Sequence, residues 1–201
     1  MKMLLVLAMA TAACAADPMD IFGRIWSVPT RADWSVSGDG ADRVLQLVTS
    51  RGPLPGPRRP IQFALTDLPS YQHLSLSADV MPWGHSLLLV FAYHDPAHFD
   101  YAHLSIDTGA VQPVHNGIFH VYGGERVRIS SEQGPAAFSA GKRWYHVELM
   151  HDAGTGAVGV QVDGKAVPAL EAIDRSLGAG NCGIGSFDET GEFKHVTIAL
   201  R

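Results

Sequence analysis

Histidine is the side chain best suited to chemistry near neutral pH, and this 201-residue chain has ten, six of them between His85 and His120. A neutral imidazole binds metal ions or takes up a proton near pH 7, so His94, His98, His103 and His115 are candidate ligands or bases. Tyr101, His103 and Ser105 share one face of any strand through this segment, because strand side chains alternate with a period of two. Arg126 joins that face if its strand is a neighbour. Flat aromatic rings cover the apolar C–H patches of a sugar, while arginine, asparagine and histidine hydrogen-bond its hydroxyls. If these positions converge, a groove lined by Tyr101, His103, His115, Asn116 and Arg126 would suit carbohydrate, with His94, Asp95 and His98 as further substrate contacts; the plainer alternative packs Tyr101 in the core and leaves Arg126 an ordinary solvated charge.

The same residues allow catalysis. Removing a proton next to a sugar carbonyl needs one base and an oxyanion stabiliser, roles open to His103 or His115 and to Arg126. Ordinary glycoside hydrolysis needs two carboxyl groups across a cleft, which glucanases on sandwich folds place at alternating positions of one strand. No Glu-x-Asp-x-Glu string occurs, and Asp95, Asp100, Asp107, Glu125, Glu148 and Asp188 would have to converge from separate strands. Asp188-Glu189-Thr190-Gly191 is an acidic turn that could join backbone carbonyls around a structural calcium ion, or else a plain solvated turn. Signatures for Ser–His–Asp catalysis, phosphate loops and zinc sites are missing. A structural or adhesive module that contacts other proteins through its loops is the third class.

The elements that must position these groups are strands. Period-two stretches recur and helix-period stretches hardly appear. Strands are expected at Val44–Val48, Leu74–Val80, Leu87–Tyr93, Phe99–Ile106, Ile118–Tyr122, Arg126–Ser130, Tyr145–Met150, Val158–Val162, Gly183–Phe187 and His195–Leu200. Leu74, Leu76, Ala78 and Val80 form one apolar face. Leu87–Tyr93 is continuously apolar, as in a central strand covered on both sides. Turns are expected at His94–His98, Gly123-Gly124, Gly154–Gly156, Asp163-Gly164 and Thr190-Gly191. Arg51–Pro60 has four prolines in ten residues, too many for a paired strand. Leu170–Leu177 could be one helical turn or a brief strand. Many short strands with regular turns imply an all-β, two-sheet antiparallel jelly-roll sandwich, with a barrel as the alternative.

Two sets of residues carry a family resemblance. Trp144–Leu149 followed by Gly156–Lys165 resembles the paired strands of laminin G-like and concanavalin A-like domains, with a tryptophan opening one strand and Asp163-Gly164 closing the next. A longer match comprises Tyr93–Leu104, His115–Phe119, Arg126 and Gly183–Gly191. It resembles secreted bacterial concanavalin A-like domains related to the 3-keto-disaccharide hydrolase family. The chain departs from that pattern at His94, where relatives tend to have glutamine, and near Lys194, where they tend to have an acid. The resemblance implies a jelly roll whose concave sheet handles carbohydrate, by binding or by cleavage.

Composition sets the outer limits. With 46% hydrophobic and 17% charged residues the chain can bury a sizeable core, and one domain over 16–201 is expected. Fifteen lysines and arginines against twenty acids, a net charge of −5, argue against a nucleic-acid partner. Residues 1–15 resemble a secretory signal: Lys2 precedes an apolar run, and Ala13-Cys14-Ala15 has the small-x-small cleavage pattern. A periplasmic or secreted protein is expected, with a lipid anchor at Cys14 as the alternative. No later window approaches the roughly 20 apolar residues of a membrane helix. Cys182, among glycines, is expected to be a small buried apolar residue.

Overall fold

The computed structural model describes residues 17–52 and 55–201. The signal-like segment with Cys14, and Pro53-Leu54 of the proline-rich stretch, lie outside the described residues. Regular structure is almost entirely strand: β1 (Asp17–Ile21), β2 (Arg24–Val28), β3 (Trp34–Ser37), β4 (Val44–Leu47), β5 (Gln62–Thr66), β6 (His73–Pro82), β7 (Ser86–Asp95) and β8 (His98–Ser105). The chain continues through β9 (Gly117–Tyr122), β10 (Arg126–Arg128), β11 (Tyr145–Asp152), β12 (Ala157–Val162), β13 (Lys165–Ile173), β14 (Asn181–Ser186) and β15 (Gly191–Leu200). Short 3-10 turns at Arg31–Asp33 and Gly40–Asp42 are the helical elements among the described residues.

The strands form two antiparallel sheets. The first runs β1-β2-β5-β14-β7-β8-β9-β10, and the second β13-β12-β11-β6-β15-β4-β3. Their facing sides bury one main core, to which β6 contributes Leu74, Leu76, Ala78 and Val80 and β7 contributes Leu87, Leu89 and Phe91. The sequence places the β6 face correctly because its alternation is unbroken. β7 is interior in its sheet, and Leu87–Ala92 are all buried. Leu88 and Val90 point away from the main core into a second cluster on the outer face, with Phe63, Phe99, Tyr101, Phe119, Val121 and Phe187. A strand covered on both sides has no wet face, which explains its continuous apolar run.

Several differences from expectation have local causes. β7 extends to Asp95 and β8 starts at His98, so Pro96-Ala97 alone make the tip of a hairpin. β15 begins at Gly191 and not at His195. Its register shifts between Lys194 and Thr197, where His195 has φ 50°, and this bulge breaks the period between Phe193 and Val196. The segment from Leu170 continues a long strand, β13. β1 and β2 join at Phe22-Gly23, both with positive φ, which is hairpin geometry but carries an unusual phenylalanine.

The proline-rich stretch is pinned at its start: Arg51 donates to Asp33 at 2.7 Å, and Gln62 Nε2 donates to the Thr49 carbonyl at 2.8 Å. It also makes one backbone bond, from Arg126 N to the Arg58 carbonyl at 3.3 Å, which ties it to β10. Cys182 is buried and unpaired, and burial pushes its thiol up to about 12.

Gly183 and Gly185 let β5 approach β14 closely. A Cβ at Gly185 would overlap the Gln62 carbonyl oxygen and lie 2.6 Å from Phe63 Cα, contacts with backbone that cannot swing away. Gly185→Ala is expected to lower unfolding free energy by about 2 kcal/mol or more, measured by urea denaturation. A change under about 0.5 kcal/mol would contradict this packing.

Candidate functional site

The candidate site lies on the outer face of the first sheet, where β8, β9 and β10 pair in register. Tyr101 stands opposite Phe119, and Phe119 opposite Arg128; one step along, Phe99 stands opposite Val121, and Val121 opposite Arg126. The two-residue period therefore sends Tyr101, His103, Phe119, Arg126 and Arg128 to the same side. Phe187, just after β14, completes the patch. The Arg126 guanidinium stacks over its ring at 4.2 Å, and Arg58 from the proline-rich stretch lies over the same ring at 5.5 Å.

Three polar atoms of this patch are buried without a hydrogen-bond partner: the Tyr101 hydroxyl, His103 Nε2 and Arg126 Nη1. Leaving such a group unpaired costs about 1–3 kcal/mol, so each of the three calls for a partner, from a ligand or from water. His103 Nδ1 lies 3.0 Å from the Val114 carbonyl. A carbonyl only accepts, so Nδ1 carries the proton and Nε2 presents a lone pair. Burial, with the positive fields of His115 and Arg126, holds the His103 pKa well below its ordinary value, and the ring is neutral at pH 7. Burial pushes the Tyr101 hydroxyl up against the charge and hydrogen-bonding pull of Arg126, so it stays protonated, and the two groups lie close without reaching good hydrogen-bond geometry. The patch thus offers a cationic donor, a hydroxyl and an acceptor.

Asn116 and His115 enter from the loop before β9. The His115 ring lies 4.9 Å from that of His103, and its Nδ1 is 2.9 Å from Asp107 Oδ2. Burial raises the Asp107 pKa, but hydrogen bonds with His115 and His85 outweigh it and hold the carboxyl below its usual range. Asn116 is fully buried with φ 48°, a conformation asparagine tolerates, and its amide donates to Pro135 O and accepts from Ala137 N, both at 3.0 Å. Its side chain is thus committed to holding the loop, which corrects its expected role as a sugar contact. Arg128, which the sequence reading did not single out, donates to the carbonyls of Pro113, His115, Asn116 and Ser131 and stitches the same loop to β10.

The expected open groove is also corrected. Tyr101 is 0% exposed and His103 2%, because the stacked guanidinium groups and Phe187 cover them. His94, Asp95 and His98 are not brought to the patch. They sit at the β7–β8 hairpin tip, where His98 Nδ1 bonds Asp95 Oδ2 at 2.8 Å and His94 Nε2 lies 3.0 Å from the Leu177 carbonyl. The acidic turn is likewise committed: Glu189 accepts from Ser86 N and Oγ, and the Asp188 carbonyl accepts from Ser50 Oγ. A calcium ion at Asp188, the alternative to a plain solvated turn, would have to draw on backbone carbonyls, since no group of metal-binding side chains forms there among the described residues.

The group that could hold a cation is Asp100, His120 and Asp174. Asp100 and His120 are cross-strand partners facing inward, and His120 Nδ1 is 2.7 Å from Asp100 Oδ1 and 2.8 Å from Asp174 Oδ2. Burial pushes the Asp100 carboxyl up to about 6, against the hydrogen bond from His120. A larger depression, about 1090 Å³, crosses the outer face of the second sheet between Glu148, Met150, Glu171 and Ile173. Its buried polar groups are paired, Glu148 with Ser75 and His151 with Tyr71, so it lacks the unpartnered atoms of the β8–β10 patch.

No family model matches the chain, and no curated protein matches it in sequence. Solved structures do. The carbohydrate binding module CBM66 from Bacillus subtilis is similar with a TM-score of 0.59 at 16% identity, over 86% of this chain and 94% of that one. A protein described as a candidate glycosyl hydrolase from Parabacteroides distasonis is similar with a TM-score of 0.54 at 16% identity, over 86% of this chain and 92% of that one. At such identity the likeness is one of fold, and the fold is an antiparallel jelly-roll sandwich of concanavalin A-like type.

The neutral, buried His103 has a measurable consequence. Below about pH 6.5 an unfolded imidazole binds a proton that the folded site resists, so stability is complete above that pH and falls as the pH drops toward the folded pKa. His151, whose pKa burial also lowers, acts in the same direction. In His103→Asn the amide can still donate to the Val114 carbonyl without titrating. Its unfolding free energy is expected to fall less steeply between about pH 6.5 and 5 than that of the parent, and equal slopes would contradict a neutral His103.

Proposed function

We propose that the β8–β10 patch binds a saccharide. The observation that carries this reading is the convergence of the Tyr101 hydroxyl, His103 Nε2 and Arg126 Nη1, each buried and unpartnered on one face. A sugar's vicinal hydroxyls donate and accept at close spacing, which suits a set containing a cationic donor, a hydroxyl and a lone pair. Phe187 and Phe119 add flat apolar surface for the C–H side of a ring. Arg126 and Arg58 lie over Phe187, so the ligand enters as these long side chains rotate outward and expose the ring. The fold likeness to a carbohydrate binding module and to a candidate glycosyl hydrolase supports the reading, and the signal-like leader agrees with a glycan met outside the cytoplasm.

A catalytic reading draws on the same geometry. His103 Nε2 is a neutral base with a free lone pair, and Arg126 is the cation that would stabilise a developing oxyanion, as hydrolysis or elimination of a keto-sugar needs. Product release from 3-keto-disaccharides that disappears in His103→Ala would establish turnover. For binding, the test is affinity electrophoresis against a panel of soluble polysaccharides. Arg126→Ala is expected to weaken retention about tenfold or more with little change in Tm. A folded Arg126→Ala that binds its glycan as the parent does would remove the patch as the site, and a parent that binds none of a broad panel would overturn the reading.

A further inference from the structure

The arginines of the patch gather their charge on one face without a carboxylate in contact. Among the described residues arginine forms ion pairs at Arg51–Asp33 and Arg143–Asp163, and no carboxylate lies within 4 Å of Arg58, Arg126 or Arg128. Glu189 is held by Ser86, and Asp107 by His115 and His85. Glu132 influences Arg128 only from a distance. Three guanidinium groups thus gather over Phe119 and Phe187 with their charge uncompensated by any side chain.

Resting on the saccharide reading of the same site, we infer that the ligand is an anionic sugar, a ring that carries a carboxylate beside a free hydroxyl. Arg126 Nη1 is a donor in a planar fork that matches a carboxylate edge. Its partner on the ligand must accept, and a carboxylate accepts most strongly. His103 Nε2 has the opposite requirement: Nδ1 holds the ring's proton, so Nε2 needs a donor, which a neighbouring sugar hydroxyl supplies. The Tyr101 hydroxyl stands near Arg126 and serves either group. Arg128 is held by four backbone carbonyls and contributes fixed positive charge. The charge also explains entry. Drawing Arg126 off the Phe187 ring forfeits a cation–π contact, and a carboxylate arriving at the exposed Arg58 offers the compensating interaction. A neutral sugar offers less.

The experiment is calorimetric titration of the protein with trimers of galacturonate, mannuronate and glucuronate, each beside its methyl ester, and with neutral xylo-, cello- and fructo-oligosaccharides. The ester keeps the ring and removes the charge. At least one acid trimer is expected to bind about tenfold tighter than its ester. That advantage should shrink as salt rises from about 50 to about 500 mM, and vanish in Arg126→Gln. An ester or neutral oligosaccharide that binds as tightly as its acid counterpart, yet loses affinity in Arg126→Gln, would overturn the anionic inference and leave the saccharide reading standing. An acid preference that survives Arg126→Gln would overturn it too. Binding of none of these sugars would overturn both.

Discussion

The pleat of three paired strands governs the candidate site. Because β8, β9 and β10 are antiparallel and in register, each residue's parity decides which chemistry it joins. Odd positions of β8 send Tyr101 and His103 outward beneath Arg126, while Asp100 goes inward to His120 and Asp174. A slip of one residue would bury the arginines against the main core and turn the inward carboxylate into the outer aromatic cluster. Such an arrangement would leave several charges buried without partners, so the register is strongly determined.

The outer face of a sandwich sheet usually meets water, and over β7, β8 and β9 it is covered instead. Phe63, Phe99, Phe119 and Phe187 cover it with aromatic surface, and arginine side chains stack over them. The cover is built from two directions. The loop before β9 is locked by the Asn116 amide and by Arg128, and the proline-rich stretch is anchored through Arg51, Asp33 and the Arg58 carbonyl. Hydrogen bonds from Arg51 lower the Asp33 pKa against its burial, which keeps that anchor ionised at neutral pH. Arg58 and Arg126 are the parts of the cover able to move, since their stems can rotate while the aromatic layer stays packed.

Much of this was legible in the residues. The unbroken alternation of Leu74–Val80, the apolar run Leu87–Tyr93 and the face shared by Tyr101 and His103 all reflect the two-residue period, which sequence displays directly. Arg126 stands beside that face because β10 pairs with β9, a strand order that the residues alone do not specify. The cover was not legible, because nothing local tells that Asn116 spends its amide on Pro135 and Ala137 or that Arg128 binds loop carbonyls. The Asp100–His120–Asp174 group joins β8 and β9 of one sheet to the residue just after β13 of the other, so spacing along the chain gives no hint of it. The β1–β2 hairpin escaped notice because its turn puts Phe22 at positive φ, where asparagine or glycine would have been the signal. Histidine clustering misled in one respect: His94 and His98 are near His103 in sequence but lie at the hairpin tip.

The account centres on the unpartnered polar atoms of the patch meeting a bound sugar, and His103 reports on that contact directly. With ring ¹⁵N-labelled histidine, the two nitrogens of His103 can be followed by NMR before and after saturation with a glycan the protein binds. The expected result is a protonated Nδ1 unaffected by ligand and an Nε2 resonance that shifts as it accepts a hydroxyl. An Nε2 signal unmoved at saturation, or a proton found on Nε2 in the free protein, would contradict the assignment of this face as the binding site.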